Sequence, residues 1–114
     1  MQFDLARQSV RELNQFLHGD LGGVREVRVD NPDGAHSIAV AVDAPVRIEV
    51  GGHAGYYAAG MNQQASVVIR GNAGPGAAEN MMSGRVEVQG FASGGAGASA
   101  HGGLLVIQGD AGLR

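Results

Sequence analysis

One phrase of eight residues occurs four times along this chain at a fixed interval. The copies are IEVGGHAG, VVIRGNAG, VEVQGFAS and LVIQGDAG, which begin at residues 48, 67, 86 and 105. Each copy therefore starts 19 residues after the one before it. A period of this length is typical of a solenoid, in which each repeat forms one coil that stacks on the next.

The residue types inside the repeat predict a strand with one buried face. Residues two apart on a strand point to the same side, so the pattern separates inward from outward positions. The inward columns are Ile48, Val67, Val86 and Leu105, and Val50, Ile69, Val88 and Ile107, and the outward column is Glu49, Val68, Glu87 and Val106. We therefore predict an all-β fold, a right-handed parallel β-helix with 19-residue coils. A left-handed hexapeptide helix would show an apolar residue at every sixth position instead.

Small residues also recur at the same spacing and predict the corners of the coils. A glycine can turn the chain through a positive φ, and an alanine leaves room where a corner narrows the interior. The glycine column is Gly52, Gly71, Gly90 and Gly109, and the alanine columns are Ala35, Ala54, Ala73, Ala92 and Ala111, and Ala39, Ala58, Ala77 and Ala96.

The first 20 residues follow a different pattern and predict an N-terminal arm and capping helix. Apolar residues at 6, 10, 13 and 17 form one helical stripe, and Ser9 with Glu12 predicts a capping box before a C-cap at Gly19. Phe3 and Leu5 alternate with polar residues, which fits a short strand or an extended arm. We expect the helix to cover an open end of the β-helix, which spans residues 21–114 with an incomplete last coil.

Composition excludes several classes of protein. The 20 glycines follow the 19-residue period and not a collagen triplet, and the net charge of −3 with eight scattered basic residues gives nucleic acid little to bind. The absence of cysteine excludes disulfides and thiol chemistry. The first 16 residues read neither as a signal peptide nor as a membrane span, so a cytoplasmic location is expected.

No catalytic, cofactor or metal site is predicted on the chain. The four histidines fall at different places around the coil, so they cannot share one metal ion. The glycine-rich GNAGPG at 71–76 lacks the spacing of a dinucleotide-binding loop. Glu49 and Glu87 lie two coils apart in the outward column and are interpreted as a solvated face.

Apolar side chains in outward columns and long turns predict an interface instead, because exposed apolar patches on small proteins often bind partners. The predicted contacts are Tyr56, Tyr57, Val68, Leu104 and Val106. For Met81 and Met82, an interface and a side core remain equally open.

The repeats resemble the GXGXG β-helix domain, which closes the large subunit of glutamate synthase and occurs in a subunit of formylmethanofuran dehydrogenase. The stretches that carry the resemblance are GNAGPG, GFASGGAG, NPDGAHSIAV, GHAGYYAAGMNQQ, AENMMSGRVEVQG and GASAHGGLLVIQGDAG. The last four of these stretches are most similar to the stand-alone middle subunit of N-methylglutamate synthase, and the similarity extends from RELNQFL to the end of the chain.

The resemblance implies a non-catalytic scaffold within a glutamate-synthase-like complex. Its partners would be an amidotransferase-like subunit and a flavin synthase subunit that holds FMN and an iron–sulfur cluster. The complex would form N-methylglutamate from glutamate and methylamine. Two alternatives are a homotrimeric solenoid acyltransferase or hydrolase, and the scaffold of a formylmethanofuran dehydrogenase type of complex. The amine, the stoichiometry and whether the chain lines an ammonia or amine path stay open.

Overall fold

Six short parallel strands stack in sequence order in the computed structural model, which describes residues 1–110. One helix lies between the first two strands. The elements are β1 (Gln2–Asp4), α1 (Val10–His18), β2 (Glu26–Asp30), β3 (Arg47–Val50), β4 (Ser66–Ile69), β5 (Arg85–Val88) and β6 (Leu104–Ile107). The predicted parallel β-helix is confirmed, and the handedness of its winding stays a prediction.

The strand register reproduces the 19-residue period. Ile48 pairs with Val67, Val67 with Val86, and Val86 with Leu105. In β2 to β5 the inward side chains are at most 1% exposed, so the two predicted inward columns form the core. On the next corner, isolated bridges join Ala54, Ala73 and Ala92, which confirms this part of the first alanine column. Its last predicted member, Ala111, lies outside the described residues.

The first full coil departs from the period. Val27 pairs with Ile48, 21 residues later, because two extra residues lie in the corner between β2 and Ala35. Further round the coil, Ala59 N–H donates to Ile38 O just as Ala78 N–H donates to Ala58 O. Ile38, and not Ala39, therefore occupies the place of Ala58, Ala77 and Ala96, so the predicted second alanine column is wrong at Ala39.

Glycine occupies the glycine column for a different reason from the predicted one. These four glycines do not have the positive φ that a sharp corner would require. Instead, a Cβ on Gly71 would lie 2.9 Å from the carbonyl carbon of Gly52, and a Cβ on Gly109 would lie 2.5 Å from Gly90 O. The backbone of the preceding coil occupies the space that a side chain would need.

Positive φ angles occur elsewhere, in the long turns opposite the strands. In each coil they recur at every second residue, as at Tyr57, Ala59 and Met61, whose φ angles are 61°, 54° and 53°. This left-handed conformation costs an L-residue roughly 1–2 kcal/mol. Hydrogen bonds between coils hold it, since Tyr57 N–H donates to Pro75 O at 2.9 Å and Met61 N–H donates to Glu79 O at 2.7 Å.

Helix α1 covers the N-terminal end of the solenoid, as predicted. Its capping box is present, with Glu12 N–H donating to Ser9 Oγ and Glu12 Oε1 accepting from Ser9 N–H. Leu13 and Leu17 are buried on the first coil, and Gly19 is the C-cap, with extended backbone. The predicted stripe fails at Ala6, which is exposed and precedes the N-cap. No helix within residues 1–110 is long and apolar enough to cross a bilayer.

The arm before the helix forms the first strand of the sheet. Phe3 pairs with Val29 and is 4% exposed, and its ring packs against Phe16 of α1 at a centroid distance of 5.3 Å. Of the two conformations expected for the arm, the structure therefore has the short strand.

Candidate interaction surfaces

The four histidines are separate and serve the structure in different ways. His36 and His53 accept backbone hydrogen bonds at a corner, and His18 Nε2 lies 2.6 Å from Val40 O. His101 is exposed in the column of Met82, as the period predicted. Within residues 1–110 no group of three His, Cys, Asp or Glu side chains is placed to hold a metal ion.

The corner that follows the strands is tied together by side chains that accept from the next coil. Tyr56 N–H donates to His36 Nδ1 at 2.8 Å, and Asn72 N–H donates to His53 Nδ1 at 2.9 Å. One coil later, Phe91 N–H donates to Asn72 Oδ1 at 2.8 Å. We call these three contacts the corner ladder. The acceptor atoms of these three side chains are therefore engaged with backbone amides.

Charged residues cover the outer face of the sheet near its N-terminal end. Arg28 contacts Asp30 and Glu49 at 2.7 and 3.4 Å, and Arg70 makes a second ion pair with Glu49. Arg85 and Glu87 pair at 3.1 Å further along the face. The two glutamates thus bind arginines and not each other, which agrees with their interpretation as a charged face and not as a catalytic pair.

These ion pairs shift the titration of the carboxyl groups. A hydrogen bond from Arg70 holds the pKa of Glu49 below its ordinary value, with Arg28 and Arg47 adding attraction. Hydrogen bonds from Arg28 and Gln2 lower the pKa of Asp30, and a hydrogen bond from Arg85 lowers the pKa of Glu87. All three groups stay ionised at neutral pH, so they favour a structural over an acid–base role.

The predicted contact residues differ in exposure. Tyr56 is 58% exposed and Leu104 is 51% exposed, so both can reach a partner. Tyr57 is half-buried, with its ring against Gly60 and its hydroxyl 3.4 Å from Asn80 Nδ2. Val106 is also half-buried. Their roles as contacts stay predictions.

Val68 is outward-facing but is not exposed. It lies between Glu49 and Glu87 in the outward column, yet only 6% of its surface is accessible. It stands apart from the main core, and the side chains that form ion pairs on both sides leave it little contact with solvent. The expectation that this valine contributes to an exposed patch is therefore wrong.

The structure distinguishes the two methionines for which an interface and a side core were left open. Met81 is 1% exposed and belongs to the core, whereas Met82 is 49% exposed. Met81 thus belongs to the side core, and a contact role for Met82 stays a prediction.

Two features were missed by the sequence analysis. Phe91 is 56% exposed on the same corner as His53, and the period could have revealed it, because its column contains only polar residues otherwise. Asn62 is fully buried, and its Nδ2 donates to Ala65 O and Ser83 O at 2.8 and 3.1 Å. Its column gave no signal, since an isolated asparagine in a long turn reads as a surface residue.

Comparison with known proteins gives one informative match. A stretch of 61 residues is 50% identical to Protein GlxC of Rhizobium meliloti (strain 1021). The matched stretch covers 52% of this chain and 27% of that protein. The match supports the resemblance to a glutamate-synthase-like family but does not distinguish N-methylglutamate synthase within it. No protein-family model matches the chain, and no solved structure does.

Proposed function

We propose that this chain is a non-catalytic scaffold subunit of a glutamate-synthase-like complex, with N-methylglutamate synthase as the specific assignment. In that complex it bridges an amidotransferase-like subunit and a flavin synthase subunit. The identity to Protein GlxC supports the family. The choice of methylamine as substrate rests on the resemblance of the long turns described above.

The observation that carries the scaffold role is a set of exposed apolar side chains beside polar groups that are already bonded. The polar groups of the corner ladder and of the outer face are bonded to backbone or to opposite charges. Tyr56, Phe91 and Leu104, in contrast, present more than half of their surface to solvent. Aromatic and large apolar side chains on a rigid support are typical contacts in protein interfaces.

The cofactors of such a complex would lie in a partner. The chain has no cysteine, and iron–sulfur clusters are held mainly by cysteine thiolates. We therefore assign the FMN and the iron–sulfur cluster to the flavin synthase subunit. The solenoid would contribute shape and contacts to the complex.

The test is to purify the tagged chain from its native host and identify the proteins that accompany it by mass spectrometry. We expect two partners, one resembling an amidotransferase and one that gives the preparation the visible absorbance of a flavin. A chain recovered alone as a stable homotrimer in sedimentation would overturn the proposal and favour a solenoid enzyme. Molybdenum- or tungsten-containing partners would favour the formylmethanofuran dehydrogenase type of complex.

Two surface variants locate the contacts. Tyr56→Ala and Leu104→Gln each remove an exposed apolar group, and loss of one interface anchor lowers affinity by about tenfold or more. Gln15→Ala on the exposed face of α1 is the matched control and is expected to retain both partners. Circular dichroism of each variant separates a lost contact from a lost fold. Unchanged partner recovery with both variants would exclude these two residues from the interface.

A further inference from the structure

Two members of the corner ladder can accept only while they are neutral. The backbone N–H groups of Tyr56 and Asn72 point at the Nδ1 atoms of His36 and His53. An amide N–H can donate but cannot accept, so each Nδ1 must carry no proton. Both imidazoles are therefore in the neutral form with the hydrogen on Nε2.

The third member of the ladder makes an equivalent contact without a titratable group. Asn72 occupies the place of His53 one coil later, and its Oδ1 accepts from Phe91 N–H. A carboxamide neither gains nor loses a proton in the ordinary pH range. The solenoid thus contains the same contact between coils in a titratable and a non-titratable form.

The two acceptor rings lie directly over glycines of the next coil. A Cβ added to Gly71 would lie 2.7 Å from His53 Nδ1, and a Cβ on Gly55 would collide with His36 Nδ1. The His36 ring also stacks on the Tyr56 ring, with 4.4 Å between centroids and 26° between planes. Both imidazoles are exposed to solvent, and a proton on Nδ1 removes the acceptor that each amide faces.

We propose that His36 and His53 form an acid-sensitive latch between the N-terminal coils. Taking up a proton from solvent turns each Nδ1 into a donor that faces another donor, which breaks the hydrogen bond to Tyr56 or Asn72. The Asn72 contact with Phe91 stays intact. The inference does not depend on the proposed function, because it concerns contacts within the chain.

The other charged groups around the latch are carboxylates and an arginine. Asp33 lines the same shallow depression as His53, and the ion pair of Arg28 with Asp30 lies beside Gly51. Carboxylic acids ordinarily titrate below pH 5, whereas histidines ordinarily titrate between pH 5 and 8. His18 lies against a carbonyl oxygen, to which a protonated ring still donates, and His101 is exposed.

Amide hydrogen exchange of the full chain at pH 7.5 and 5.5 tests the latch. After correction for the intrinsic pH dependence of exchange, we expect protection of the Tyr56 and Asn72 amides to fall by about tenfold at pH 5.5. The Phe91 amide is the internal control and should keep its protection. Unchanged protection at Tyr56 and Asn72, or an equal loss at Phe91, would overturn the proposal.

The variant His53→Asn sharpens the test, because it copies the arrangement already present at Asn72. We expect this variant to fold and the Asn72 amide to keep its protection at pH 5.5, while the Tyr56 amide still loses protection. Acid sensitivity of the Asn72 amide that survives in His53→Asn would show that His53 is not its cause.

Discussion

The two ends of the described solenoid expose their cores to different degrees. At the N-terminal end, Leu13 and Leu17 of α1 are at most 1% exposed and close the first coil. At the other end of residues 1–110, Leu105 and Ile107 are only half-buried, although their equivalents Val86 and Val88 are fully buried. Equivalent inward side chains are therefore fully buried between two layers and only half-buried on β6.

A helix can replace a coil at the end of the solenoid because it supplies the same kinds of contact. Asn14 Nδ2 donates to Ser37 O at 2.9 Å, and Asn14 Oδ1 accepts from Val40 N–H at 3.2 Å. One carboxamide thus satisfies a donor and an acceptor that a neighbouring coil would otherwise bind. The comparison teaches that closing a β-solenoid requires both an apolar cover and partners for the exposed backbone.

The outer face differs between the ends as well. Arginines, glutamates and aspartates cover β2 and β3, whereas the equivalent positions on β6 are Leu104 and Val106. A strand with apolar residues on both sides is typical of burial on both faces. Leu104, which is 51% exposed, is therefore the residue of this strand that the partner-recovery test above examines.

The largest effect is expected from shortening one inward leucine at each end of the solenoid. Leu13→Ala should lower the free energy of unfolding by about 2–5 kcal/mol, because it leaves a cavity under α1. Leu105→Ala removes a half-buried side chain and should cost less than about 2 kcal/mol. Urea denaturation of both variants measures the difference. Equal losses would contradict the view that Leu13 is packed more completely than Leu105.

A smaller effect is expected from filling the glycine column. Gly71→Ala forces a Cβ against the backbone of a coil that is packed on both sides. Overpacking of this kind lowers the free energy of unfolding by up to about 3 kcal/mol. Gly109→Ala meets a similar contact in the last described coil, which has more room to shift, so its midpoint in urea should move less. A larger loss for Gly109→Ala would reverse the comparison.

Removing the backbone contacts of α1 should have a still smaller effect. Asn14→Ala loses two hydrogen bonds to the first coil and should destabilise the protein by about 1–2 kcal/mol. Gln15→Ala, on the exposed side of the same helix, is the control and should change the melting temperature little. If the two variants melt together, the apolar cover alone closes this end.

The smallest effect concerns the charged face near the N-terminal end. Arg70 lowers the pKa of Glu49 in the folded protein below its ordinary value of 4.5. The ionised carboxylate therefore stabilises the fold at pH values above 4.5, and this stabilisation is lost as the pH falls below 4.5 towards the lowered pKa. Denaturation midpoints measured from pH 6 to 3 should therefore fall less steeply in Glu49→Gln than in the unmodified chain. Parallel curves would show that the pair adds no pH dependence.

The sequence predicted the parts of the fold that repeat. A fixed period places equivalent residues side by side, so the core columns and the outward column could be read without coordinates. The capping helix was also predicted, because Ser9 and Glu12 have a local signature. These features depend on spacing or on neighbouring residues, both of which are visible in the sequence.

The remaining features depend on contacts between coils, which the sequence does not show directly. From Ala35 to Ile38 the first coil is one residue shorter than the later coils, so Ala39 was assigned to the wrong column. The left-handed turn residues include alanine, tyrosine and methionine, which carry no turn signal. Val68 was expected to be exposed because the period gives the direction of a side chain but not the length of its neighbours.

The order of the strands has a consequence for how such a chain can change in evolution. Each strand pairs only with the strands directly before and after it, from β1 to β6. Duplicating one 19-residue unit within the regular part would lengthen the solenoid by about 4.8 Å and repeat existing contacts without altering others. Gene duplication can thus adjust the length of the protein in fixed steps, while the two extra residues between β2 and Ala35 show that a corner also accepts an insertion without loss of strand register.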